Sequence, residues 1–389
     1  MADEQTIRRE AARQGHQHLL GGLILTLLIL FLPQLLHWWK GAAGFPKEMG
    51  VWVLIAIYAT VALGCNVIVG YTGLLNLGFA GFMCIGAYTA GILMRPPPFF
   101  EAHGLAFEPW SFWSALAAAT LHAALWGIIL GVPTLRLQGD YFAIVTFGFS
   151  EIIIQVAKNW TSMTGGVSGF RGVPAPSILW PVDPLHGDFA LAPLTFNRLA
   201  PVQFWYTAGT ILLLVIVFMR RVERTRLGRA WVAIREDELA AQAAGINLTW
   251  YKTQAFAISA ALAGLGGGVF AALQGSFSFN DFSFFISVYL VLYVVFGGMG
   301  SITGTLVGTA VLFYLLEILR DLILEFNSRH PEHPIDANLR YLFYAAALIL
   351  IMRFRPSGLL PPRARLRERL PGGPSYDSRL FHLGEERGP

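Results

Sequence analysis

Charge is what this chain has least of. Of its 389 residues, 13% are Asp, Glu, Lys or Arg, while 55% are hydrophobic. A soluble domain averages about 25% charged residues. Half that share cannot cover a folded surface in water, so lipid must solvate most of the chain. The mean hydropathy of +0.55 agrees. No polar block is long enough to form a soluble domain. Cysteine is scarce as well. Cys65 and Cys84 lie in apolar stretches without metal-ligand spacing and read as small buried hydrophobes. The chain has no Gly-x-x-x-x-Gly-Lys-Ser/Thr motif, so it cannot hydrolyse ATP through a P-loop. Nor does it carry a metal cluster, a nucleophile elbow or paired catalytic carboxylates. It therefore reads as a non-enzyme without a cofactor of its own.

What is present is a series of apolar runs. A helix needs about 20 apolar residues to cross a bilayer. Ten segments have that character, at 19–36, 51–69, 77–93, 111–132, 141–158, 202–219, 253–275, 285–296, 302–319 and 340–352. The eighth and tenth are too short to span alone and work only if tilted, extended or broken. The first follows a basic head, as a signal peptide would. It runs on to Leu36 with no small-residue cleavage site, so it is read as a retained helix. The expected fold is an all-α polytopic membrane protein: a segment 1–18, a transmembrane domain 19–352 and an Arg-rich tail 353–389.

The net charge is +4, and all basic residues but Lys40, Lys47, Lys158 and Lys252 are Arg. A basic balance can mark a nucleic-acid binder. Here the arginines cluster beside apolar spans, so topology explains them and no nucleic-acid partner is expected. With the N-terminus inside and spans alternating, 19 of the 28 Lys and Arg fall in the inner segments. That two-to-one bias follows the positive-inside rule and places both termini in the cytoplasm. Trp38, Trp39, Trp52, Trp110, Trp113 and Trp205 fall at outer span ends, as an aromatic belt would. The tail reads as a solvated segment near anionic lipid.

Small residues recur every fourth position at Ala260, Gly264, Gly268 and Ala272, and again at Gly300, Gly304 and Gly308. Such a stripe lets a second helix backbone approach closely; its alternative is a permeation path. Charges within spans are few. Glu151 lies well inside the fifth, with Lys158 near its end, and Glu317 toward the outer end of the ninth. Glu151 is either satisfied by a neighbouring helix or open to a water-filled cavity.

The loop 220–252 is the most informative segment. Glu236, Asp237 and Glu238 stand where a helix dipole favours acids, the following LAAQAA forms helix readily, and Gly245 supplies a stop. A short helix on the inner surface is predicted. An ordinary surface helix touching lipid head groups is the plainer reading. The stretch 228–247, GRAWVAIREDELAAQAAGIN, resembles the coupling loop of ABC importer permeases. In that family the loop docks into a cytoplasmic ATPase, which implies a coupling role for Arg235, Asp237, Glu238, Ala240, Ala241 and Gly245.

Four further stretches resemble the LivM-type permeases of branched-chain amino-acid importers. They are NVIVGYTGLLNLGFAGFMCIGAYTAG at 66–91, GDYFAIVTFGFSEIIIQVAKNWTSMTGGVSGFRGVP at 139–174, GGMGSITGTLVG at 297–308 and FRPSGLL at 354–360. Within them Asn66, Tyr71, Asn76 and Glu151 are candidates for helix packing or the pathway, beside the glycines above. In the outer loop 159–200, the flexible TGGVSGFRG at 164–172 holds Arg171, a candidate contact for a solute-binding protein. The resemblance implies an inner-membrane permease subunit that pairs with a LivH-type permease. It also implies two ATPase subunits, which carry ATP and Mg, and a periplasmic or surface-tethered binding protein. The implied solutes are leucine, isoleucine and valine; related systems move urea, short amides or other amino acids. Two other classes stand as alternatives. An ion-coupled secondary transporter needs an inverted repeat or midplane ion ligands. A membrane-embedded enzyme needs a catalytic cluster.

Overall fold

The computed structural model describes residues 47–105, 107–134, 140–182, 190–195 and 201–330, with isolated positions on either side. In chain order the helices are α1 (Lys47–Thr72), α2 (Phe79–Met94), α3 (Pro98–Ala102), α4 (Phe112–Thr134), α5 (Asp140–Asn159) and α6 (Thr161–Thr164). They continue as α7 (Pro201–Arg224), α8 (Arg226–Glu236), α9 (Glu238–Ala243), α10 (Leu248–Gln274), α11 (Phe284–Gly297) and α12 (Ile302–Arg329). Among the described residues seven helical stretches are long and apolar enough to cross a membrane, and α2 is a shorter apolar helix. The chain is thus an all-α multi-pass membrane protein. Eight of the ten expected segments are these helices. The first and the tenth lie essentially outside the described residues.

The helices depart from the expected spans in ways local chemistry explains. Helix α1 ends in a π-helical turn, Asn66–Thr72, closed by Gly73 at φ +75°. Helix α2 has 16 residues, about 24 Å of helix, and its start is buried in protein. There Ala80 N donates to Ser287 Oγ at 2.9 Å and Leu77 N to Thr146 Oγ1 at 3.1 Å. Neighbouring spans so satisfy backbone groups that lipid cannot. The eighth segment lies unbroken within α11 and is extended at its start, giving a 19-residue stretch Phe279–Gly297, one of the three ways open to so short a run. A 3₁₀ turn, Phe279–Phe282, precedes α11 and is closed by a capping box between Ser278 and Asp281.

The loop 159–200 is not wholly irregular. Strand β1 (Phe170–Arg171) pairs antiparallel with β4 (Ser276–Phe277), and β2 (Ser177–Val182) with β3 (Ala190–Thr195). Neither ribbon was expected, because two-residue and hairpin strands leave no periodic signal of their own.

Helix α10 is the centre of the bundle, with α1, α2 and α4 around it. Its glycines make this possible. A Cβ on Gly264 would stand 2.3 Å from Ala123 Cβ on α4, and one on Gly267 would stand 2.1 Å from the Met83 carbonyl on α2. Such distances leave no room for any side chain, so the helices touch backbone to backbone.

Candidate functional site

The loop between α7 and α10 folds into two short helices at one end of the bundle. Asp237 breaks the first and caps the second. Its backbone is extended, and its carboxylate accepts from Leu239 N at 2.8 Å and Ala240 N at 3.0 Å. Helix α9 then ends in a Schellman turn: Gly245 stands at φ +84°, its N–H donates to the Gln242 carbonyl, and Ile246 N donates to the Ala241 carbonyl. A left-handed residue is needed there, and glycine adopts that conformation without strain.

The orientation of α9 separates residues that the sequence treats alike. Ala241 is 4% exposed and packs into this chain. Leu239 is 78% exposed, and Ala240, Ala243 and Gly245 are also exposed. Successive helix positions point about 100° apart, so Ala240 and Ala241 cannot share a docking face. Ala241 seats the helix, and the outward face is Leu239, Ala240 and Ala243. Glu238 also has a role beyond the helix dipole. Its Oε1 takes Lys252 Nζ at 2.6 Å and ties α9 to the base of α10.

Arg235, two residues before the break at Asp237, reaches back to α1. Its Nη1 donates to the Gly70 carbonyl in the π-helical turn. Asn66, from the same turn, accepts from Gly300 N at 2.8 Å. Gly300 itself, at φ +82°, lies between Gly70 and Arg235. Trp231, fully buried on α8, lies near Tyr71 and donates to the Tyr251 carbonyl at 2.9 Å. Three stretches distant in sequence therefore meet at one joint. The isolated residues Leu359 and Leu360 lie beside it, donating to the Phe296 and Gly297 carbonyls at the end of α11.

The remaining glycines are packing positions within this chain. Gly268 faces Leu116 and Ala90, while Gly304 and Gly308 both lie against Gly297, which closes the α11–α12 hairpin. Asn76 is buried, and its Oδ1 accepts from Gly78 N at 2.7 Å.

A family model described as branched-chain amino acid transport system / permease component matches residues 49–352. The chain belongs to this family. It is 38% identical over 321 residues to the high-affinity branched-chain amino acid transport system permease protein LivM of Escherichia coli K12, covering 79% of this chain and 68% of that one. It is 25% identical to a probable LivM of Methanocaldococcus jannaschii, over 79% and 91%. It is also 24% identical to the E. coli permease LivH, over 78% and 91%. No solved structure matches it.

In a permease the faces left open by the bundle carry weight, and α5 is the least buried of the seven candidate spans. Ile144, Ile152 and Gln155 are exposed along it. Half-exposed Glu151 accepts from Gln155 Nε2 at 3.2 Å, and Lys158 sits over the Phe279 ring. Glu317 instead pairs with Arg320 at 2.8 Å on α12. At the end opposite Arg235, the exposed Arg171 donates through Nε to the Ser168 carbonyl, and its own carbonyl takes Arg95 Nη1 at 2.5 Å.

Sequence reasoning missed Arg95, which only its place just past an apolar run would have flagged. It also missed His122, at the middle of α4. Trp126 Nε1 donates to His122 Nε2 at 3.0 Å, so the ring's proton is on Nδ1, where it meets Thr89 Oγ1 at 2.7 Å. A lone histidine within an apolar span was the signal available.

Proposed function

We propose that this chain is the permease subunit of an ABC importer for leucine, isoleucine and valine, and that α9 is its seat for a cytoplasmic ATPase. The observation that carries the reading is α9 itself. It is a capped, six-residue helix, held to α10 from behind by the Glu238–Lys252 pair, that presents exposed Leu239 and two alanines to solvent. Small side chains permit close seating in a groove, and one projecting leucine gives an anchor. Family membership and the relatives' printed names support the solute class and a second, LivH-type permease beside this one. The ATPases would hold ATP and Mg, and a binding protein would deliver solute near Arg171. The open face of α5 with Glu151 is the candidate lining of the pathway. A carboxylate at that depth needs water or a polar partner. The ten-span arrangement, with both termini and the 220–252 loop cytoplasmic in a bacterial inner membrane, follows from the charge bias. The position of Leu359 and Leu360 beside the Arg235 joint supports it.

The test is co-purification of the permease with co-expressed ABC ATPase subunits. Leu239→Glu places a charge on the outward face of α9 and should abolish ATPase capture and leucine uptake while leaving the permease abundant in the membrane. A Leu239→Glu variant that captures ATPase and transports normally would refute this docking face.

A further inference from the structure

The geometry points to Arg235 as the strut that carries motion of the ATPase-docking helix into the spans, through the π-helical end of α1 and the glycine turn before α12. The inference rests on α9 being the docking element, and extends it to how the shift leaves that element.

Arg235 lies in the last turn of α8, two residues before Asp237, so a displacement of α9 reaches its backbone through Glu236 alone. Its guanidinium is bonded to the Gly70 carbonyl, which lies in the last turn of α1, where helix carbonyls have no partner within the helix. The chain leaves the helix at Gly73, at φ +75°, so no following turn closes that carbonyl and the arginine takes it instead. The contact is close on every side. A Cβ on Gly73 would meet Arg235 Cγ at 3.1 Å, and one on Gly300 would meet Arg235 Nη1 at 3.3 Å. A Cβ on Gly70 would fall 2.6 Å from Gly300 N and 1.9 Å from Asn66 Oδ1. Arginine, π-turn and glycine turn thus form a contiguous stack with no slack. A push on α8 must move α1 and the α11–α12 turn together or break the stack.

A second observation marks this stack as a joint rather than a fixed core. Asn66 Nδ2 and Tyr71 Oη are buried in it and have no hydrogen-bond partner. Buried polar atoms without partners are rare because each costs free energy. Two at one contact leave donors ready for a different set of acceptors. That suits an element with two discrete arrangements.

The test uses the assembled importer in proteoliposomes with its ATPases and binding protein, supplied with leucine, isoleucine and valine. For Arg235→Ala we expect ATPase capture and hydrolysis to persist while solute moved per ATP falls by about tenfold, the scale of one charge-assisted hydrogen bond. Arg235→Lys, which keeps a single-point donor, should fall between the two. If Arg235→Ala does not reach the membrane, Arg235→Lys is judged by the same ratio. An unchanged ratio overturns the strut. Loss of ATPase from the Arg235 variants also overturns it, by making the residue part of the docking surface. Failure of the unaltered permease to capture any ATPase would overturn the docking reading itself, and the strut with it.

Discussion

The ion pair between Glu238 and Lys252 gives the sharpest quantitative expectation, because its two members differ in burial. Lys252 is 8% exposed at its side chain and Glu238 is 39%. Removing Glu238 strands an ammonium inside the protein. Removing Lys252 leaves a carboxylate that can turn to water. Breaking a fully buried pair costs about 3–5 kcal/mol, and an exposed one about 0–1. With its carboxylate partly wet, Glu238→Ala should cost about 1–3 kcal/mol, beyond the roughly 0.3–1 kcal/mol that an acid contributes at a helix start. Lys252→Met should cost less than about 1 kcal/mol, since its methylenes stay packed. The double variant Glu238→Ala/Lys252→Met should be more stable than Glu238→Ala alone. The permease carries its own reporter. Cys65 and Cys84 are free and buried, so a thiol-reactive dye added to detergent-purified protein responds only on unfolding. On the scale of domains of 150–250 residues, each kcal/mol moves the midpoint by about 2–4 °C. Glu238→Ala should therefore unfold several degrees early, and the double variant should recover part of that. Equal midpoints for Glu238→Ala and the unaltered protein, or strict additivity in the double variant, would refute the reasoning.

Two further expectations follow from the packing and the topology. Gly264→Leu should cut the yield of folded permease, because overpacking costs about 1–3 kcal/mol or more and even a Cβ would clash with Ala123; Gly264→Ala with Ala123→Gly should recover yield in fluorescence-detected size exclusion, and normal yield for Gly264→Leu would show that the contact is loose. Cysteines placed at exposed Arg229 and Ser168 should label from opposite sides of the membrane with an impermeant maleimide, the native thiols staying silent; labelling of both from outside would overturn the alternating arrangement.

Much of this architecture is written in the linear sequence, because lipid imposes a blunt rule. A span must be apolar over its whole length, so 111–132 and 253–275 could be recognised without knowing any neighbour, and they are α4 and α10. The inner loop was legible for a similar reason: an acid that caps, a run of alanines and a glycine at the stop are local chemistry, and Asp237 and Gly245 do those tasks. The glycine stripe announced close packing, though not its partners. What only tertiary structure decided were directions and meetings. Whether Ala240 or Ala241 faces outward depends on how α9 rolls against α10, which Lys252 sets from 14 positions away. The family resemblance marked Arg235 for coupling but gave it no partner. Its contact with Gly70, 165 positions earlier, arises because α1 ends in open carbonyls just where α8 passes, and no periodicity records that. Long-range hydrogen bonds between single groups leave no pattern in the chain, whereas burial in lipid leaves one in every span.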